Sequence, residues 1–173
     1  AFMSYSILVI YMFPAIVLVI PLYVVFSHMG LRDSIHVLIL VYLAQTLPVA
    51  LYMLHSYFQN LPVEIEYAGL IDGCSRLGVI WRIIIPLSAP ALASVALYTF
   101  MIAWNEFLFA QTFMGAQEKW TIPVGLAALT SQYALDWGLL TAGGIISLVP
   151  AILVMLFLQR YLIAGLMAGA IKE

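Results

Sequence analysis

Charge is what this sequence has least of. Asp, Glu, Lys and Arg together supply 8% of its 173 residues, about a third of the share found in soluble domains. Hydrophobic residues supply 65%, more than so few polar side chains can shield from water. The formal net charge is only −2, so no basic surface for nucleic acid or another polyanion is present. A single cysteine, Cys74, excludes an internal disulfide and a multi-cysteine metal site. The three histidines, His28, His36 and His55, have no ligand spacing of the HExxH kind. No GxxxxGK[ST] loop occurs, and neither lysine, Lys119 or Lys172, directly follows a glycine. The chain therefore has no phosphate cradle of that type to bind and hydrolyse ATP by itself. Ser6, Ser56 and Ser94 stand near no recognisable His–acid pair for nucleophilic chemistry. No cofactor, metal or catalytic group is expected.

What the sequence has instead is long apolar runs. A hydrocarbon core about 30 Å thick takes roughly 20 apolar residues of helix, and four segments qualify: Phe2–Phe26, Ile35–Met53, Ile83–Phe109 and Leu139–Leu158. Prolines 14, 21, 48, 86, 90 and 150 lie in or at the ends of these runs. Membrane helices accept proline where neighbouring helices, side chains or water satisfy the freed carbonyls. The competing reading, a soluble bundle of fully buried helices, fits poorly with four such runs and so little charge. The fold class is an all-α membrane protein, a polytopic bundle of about four transmembrane helices.

The chain opens at Ala1 and runs at once into apolar sequence, without the basic region or cleavage site of a signal peptide. The expectation is a sequence that starts between spans or lacks its N-terminal part. Lys and Arg set orientation. Segments 54–82 and 159–173 hold Arg76, Arg82, Arg160 and Lys172, against Arg32 and Lys119 in segments 27–34 and 110–138. That balance places the 54–82 loop and the C-terminus in the cytoplasm. Trp120, Tyr133 and Trp137, with Pro123 among them, suit an interfacial outer segment whose rings sit at headgroup level.

One segment breaks the apolar pattern. Three acids and two arginines, Glu64, Glu66, Asp72, Arg76 and Arg82, gather within it. Pro62 suits a first helical position, since its missing N–H would be unpaired there. Glu64 and Glu66 follow in the first turns and complement the helix dipole. Ala68 and Gly69 allow a close approach, and Gly73 can supply the left-handed residue that ends a helix. The reading is a short polar helix lying across the cytoplasmic face, with a plain loop as the alternative.

The stretch "EYAGLIDGCSRLGVIWRIIIPLSAP" resembles the EAA loop of the membrane subunits of binding-protein-dependent ABC importers. Tyr67-Ala68-Gly69 stands where that pattern has Glu-Ala-Ala, while Asp72, Gly73 and Pro86 match it. "WNEF" at 104–107, "TIPVGL" at 121–126 and "QRYLIAGLMAGAIKE" at 159–173 resemble the carbohydrate branch of the family. The last of these is similar to the tail of the smaller membrane subunit of maltose transporters. The resemblance implies a permease transmembrane domain over 1–173, with six spans usual in the family and the first two lacking here. It implies that 62–76 is a coupling loop docking on a cytoplasmic ATPase subunit through Glu64, Glu66, Tyr67, Ala68, Gly69, Asp72, Gly73 and Arg76. It also implies the partners: cytoplasmic ATPase subunits, a second permease subunit and an extracytoplasmic solute-binding protein. The setting would be the cell inner membrane, and the cargo a sugar or oligosaccharide.

Trp104, Asn105 and Glu106 form a possible edge of the sugar path. A carboxylate within a bilayer marks function by default. A helix starting near Ile83, however, places Glu106 roughly 34 Å along, near the outer interface, where it would be hydrated or touch the other permease. The alternative function is an ion- or proton-coupled secondary transporter with Glu106 as the coupling carboxylate. The paired repeats and broken-helix site of such proteins are not visible in the sequence.

Overall fold

The computed structural model describes residues 14–132 and 136–170. Helix α1 covers Ala15–His28, α2 Ile35–Gln59, and α3, the short one, Val63–Ile71. Next come α4 over Arg76–Leu87 and α5 over Ala89–Trp104, joined through Ser88 and bent by 70°. The short α6, Leu108–Phe113, is followed by α7, Ile122–Gln132, and by α8, Trp137–Ala170. Among the described residues there is no β-strand, the expected outcome where each backbone polar group must be satisfied within its own segment.

Two of these helices, α2 and the Trp137–Ile163 part of α8, are long and apolar enough to cross a membrane, and the bent α4–α5 pair makes a third if it counts as one span. The expected first span, Phe2–Phe26, lies partly outside the described residues. Its described part, α1, has 14 residues. The expected run Ile83–Phe109 is corrected on two points: the helix begins at Arg76, and it stops at Trp104 rather than continuing to Phe109. A π-helical turn occupies Ile80–Ile84, in which the Ile85 N–H reaches back to the Ile80 carbonyl. Pro86, one residue later, has no N–H to give and its ring crowds the Arg82 carbonyl. Pro90 repeats the problem for the carbonyl of Pro86. Ser88 at the break is fully buried and its hydroxyl donates to Ile84 O at 2.7 Å. The Tyr57 hydroxyl, from α2, donates to Leu87 O at 3.0 Å. The bend is thus held by side chains.

The core sits at the end of the bundle away from α3. Val19 of α1, Val37, Leu38 and Val41 of α2, and Phe109, Ala110 and Phe113 of α6 close around Met114 and Val124. Phe113 stacks on Tyr23 and Phe109 and meets Phe26 edge-on. Elsewhere the helices expose apolar rows such as Ile145, Ile146, Leu153 and Phe157 of α8, as a lipid-facing surface does. The segment 110–138, expected as an interfacial loop, carries α7 packed along α8. The approach there is close: a Cβ on Gly143 would fall 2.6 Å from Leu126 Cδ2. Trp120 packs against the core cluster, Trp137 is exposed, and Tyr133 lies outside the described residues.

Candidate functional site

The short polar segment forms a helix with both ends defined. Pro62 is its N-cap, with extended ψ, rather than its first helical residue as expected. Glu64 and Glu66 lie in the first turn, beside the positive end of the dipole. Asp72 is the C-cap and Gly73 follows at φ +84°. The Gly73 N–H bonds to Leu70 O and the Cys74 N–H to Gly69 O, at 3.1 and 3.0 Å. These are the two bonds of a Schellman motif, whose left-handed residue glycine adopts without steric cost. Ser75 then caps α4, its hydroxyl accepting from Gly78 N–H at 3.1 Å. Arg76 accordingly opens the next helix and is not part of α3.

Of the eight residues expected to contact a partner, seven are exposed: Glu64, Glu66, Tyr67, Ala68, Asp72, Gly73 and Arg76. Gly69 alone is buried. Its missing side chain lets α3 lie directly on α4, where an added Cβ would stand 2.7 Å from Ile83 Cδ1 and 3.0 Å from Val79 Cγ2. Close approach at Gly69 is therefore spent within the chain. The outward face carries Tyr67, 60% exposed, and Ile71, 85% exposed. Among the described residues, Glu64, Glu66, Asp72 and Arg76 make no ion pair.

The Trp104–Glu106 edge divides three ways. The Trp104 indole N–H donates to Ser147 O on α8 at 3.3 Å and its ring stacks on Phe100, tying α5 to α8. Asn105 is the exposed C-cap of α5, its amide donating to Met101 O at 2.8 Å. Glu106 turns back to the start of α6. One carboxylate oxygen accepts from Phe109 N–H at 2.8 Å, and the other from Ala110 N–H at 3.0 Å and the Tyr42 hydroxyl at 3.1 Å. It thus serves the orphan amides of a helix start and pins α6 to α2.

A second polar cluster, centred on Asp33, has no signature in the sequence. Asp33 has φ +57°, a conformation for which Asp is enriched among non-glycine residues. Its carboxylate accepts from Gly115 N–H, Ala116 N–H and Lys119 Nζ at 3.0, 3.1 and 2.8 Å. Lys119 Nζ also donates to the Asp33 carbonyl at 2.6 Å. The Lys119 hydrogen bond, followed by that from Ala116, holds the Asp33 carboxyl below the usual carboxylate range. The clamp joins two loops 86 residues apart in sequence, a separation that local pattern does not reveal.

The model of the family described as binding-protein-dependent transport system inner membrane component matches residues 1–167. The chain is 41% identical over 163 residues to the inner membrane ABC transporter permease protein YcjP of Escherichia coli, covering 94% of this chain and 58% of that protein. It is 41% identical to the trehalose/maltose transport system permease protein MalG of Thermococcus litoralis, with 93% and 58% covered. It therefore spans less than two thirds of the length of these relatives. In fold it is similar to a solved bacterial ABC transporter involved in the import of the acidic polysaccharide alginate, with TM-score 0.56, 24% identity, and 87% of this chain and 55% of the other covered. With its helical architecture and its family match agreeing along almost the whole sequence, the chain belongs to the binding-protein-dependent transport system inner membrane components.

Proposed function

We propose that the chain is the permease part of an ATP-driven importer and lines the path of a sugar or oligosaccharide delivered by an extracytoplasmic binding protein. The observation that carries this reading is the short helix α3, closed by Gly73, seated on α4 through Gly69, and presenting Tyr67 and Ile71 outward. A nine-residue helix is too short to span a bilayer, and its exposed polar and apolar groups suit a docking joint. The segment 60–75, which joins α2 to α4 and carries α3, and the C-terminus face the cytoplasm, where ATPase subunits would engage α3. A second permease subunit completes the path.

In this mechanism the chain carries out no bond chemistry. Closure of the ATPase subunits displaces α3. The Gly69 seam passes that displacement to Val79 and Ile83, because there is no side chain to yield between the two helices. The π turn and the break at Ser88 let α4 move relative to α5, which faces the transport path. The carbohydrate cargo is supported by the relatives' names, which include trehalose and maltose systems. Along the Trp104–Glu106 edge, Asn105 is the group placed to meet a sugar, being exposed with its amide oxygen unengaged among the described residues. Proton coupling through Glu106 is not favoured: the relatives are ABC permeases, and the carboxylate is occupied as a helix cap.

The test is sugar accumulation in proteoliposomes holding the full complex, driven by ATP in one arm and by an imposed pH gradient in the other. Accumulation with ATP alone is expected. Accumulation from the gradient alone, abolished by Glu106→Gln, would replace the reading with a proton-coupled one.

A further inference from the structure

Along the last two turns of α2 and its C-cap, a cleft of about 380 Å³ opens between α2 and α5, within the size range of small-ligand pockets. Its walls carry the hydroxyls of Tyr52, Ser56, Tyr57 and Ser94 and the amide of Asn60, with Met53 and Ala91 between them. Among the described residues, none that lines it is charged. Positions 52 and 56 of α2 and its C-cap, Asn60, recur at helical spacing and share one face. Leu47, Leu51, Leu54 and Phe58 occupy the opposite side. Such a division is what a membrane helix shows when one side meets lipid and the other a polar space, since polar groups facing hydrocarbon are costly.

Several groups in the cleft keep bonding capacity. Ser94 donates to Pro90 O at 2.9 Å and the Asn60 amide to Ser56 O at 2.8 Å, which leaves the Ser94 oxygen and the Asn60 carbonyl oxygen as acceptors. The Tyr52 hydroxyl, on a ring 42% exposed, has no partner among the described residues. The cleft therefore offers donors, acceptors and two aromatic faces without any net charge. That chemistry matches a neutral sugar ring, which has hydroxyls at its rim and C–H groups on its faces. It also adjoins the bend: Tyr57, which lines the cleft, is the residue whose hydroxyl holds Leu87 O before the break at Ser88.

We infer that this cleft is a station for a neutral sugar ring on the transport path, beside the α4–α5 bend; the inference rests on the importer reading above. A ring seated there would compete for the Tyr57 hydroxyl, so its passage would be sensed by the bend.

The experiment uses the complete complex in proteoliposomes, with a panel of neutral mono-, di- and trisaccharides. Sugar accumulated and ATP hydrolysed are measured together, and co-purification of the second permease is checked for each variant. Ser94→Leu and Asn60→Leu are expected to lower sugar moved per ATP by about tenfold or more, and Tyr52→Phe by about fivefold, the scale of one lost hydrogen bond. Binding-protein-stimulated ATP hydrolysis and assembly should stay intact. Variants that transport as the unmodified chain does would overturn the inference while leaving the importer reading in place. So would loss of the second permease from Ser94→Leu and Asn60→Leu, which would make the cleft a packing surface. Failure of the unmodified complex to accumulate any sugar of the panel with ATP would overturn both.

Discussion

Enlarging Gly69 is the perturbation that acts most directly on the joint between α3 and the bent span. A Cβ there would meet two atoms of different compliance. Ile83 Cδ1, at 2.7 Å, is the far end of a side chain that can swing aside. Val79 Cγ2, at 3.0 Å, belongs to a β-branched side chain that is stiff at χ1 and 1% exposed. Overpacking costs about 1–3 kcal/mol, while replacing glycine by alanine within a helix returns about 0.5–1 kcal/mol. A net cost of about 1 kcal/mol follows for Gly69→Ala, a shift of about fivefold between seated and splayed helices. Gly69→Leu has no space for three further carbons and should part α3 from α4. The assay is sugar accumulated per ATP hydrolysed in reconstituted complexes. Gly69→Ala should lower that ratio by a few fold, and Gly69→Leu should abolish transport while ATP hydrolysis continues. Val79→Ala, which removes the contact that cannot swing aside, should restore Gly69→Ala as a non-additive pair. A normal ratio in Gly69→Leu, or no rescue by Val79→Ala, would refute the reasoning.

Three other expectations rest on separate contacts. Gly73→Val should uncouple transport without blocking membrane insertion, because φ +84° is strained for a β-branched residue; Gly73→Asn should do much less harm, and equal transport by both variants would count against the turn. Glu106→Gln should leave either Phe109 N–H or the other pair of donors facing an NH₂ group, for a loss of about 1–2 kcal/mol in thermal stability, with ATP-driven uptake only modestly reduced and its pH profile unchanged. Asp33→Asn should speed tryptic cleavage after Lys119 at pH 8, where the Asp33 carboxylate is fully ionised. Because folding lowers the pKa of Asp33, the clamp's contribution is present above the unfolded value of about 3.9 and is lost as pH falls through the lower folded value; equal cleavage rates at pH 8 would show that the clamp does not order the loop.

The apolar runs made the helical membrane class legible because hydropathy over roughly 20 residues is a strong signal. Glu64, Glu66 and Gly73 marked the α3 helix for the same local reasons that shape it, namely the dipole and the left-handed turn. The partner of Gly69 was not legible. A small residue announces close approach, but only the fold shows that Val79 and Ile83 fill the space. The expected Ile83–Phe109 span missed the bend, since the same prolines are tolerated in straight and broken helices alike, and the buried Ser88 with Tyr57 holds this break. Counting residues along one continuous helix puts Glu106 near the outer interface, whereas the chain turns at Asn105 and the carboxylate caps α6. Asp33 gave no signal because its partners lie more than 80 residues away.

The central claim, that α3 is the joint to an ATP-hydrolysing subunit, is tested most directly by site-specific photo-crosslinking from its outward face. A benzoylphenylalanine at Ile71, the most exposed position on that face at 85%, and one at Met29, in the loop at the other end of the bundle, would be irradiated in native membranes. The adducts would then be identified by mass spectrometry. The account predicts that Ile71 captures an ATPase subunit and that Met29 does not. Capture of the ATPase from Met29, or only lipid and extracytoplasmic protein from Ile71, would contradict it.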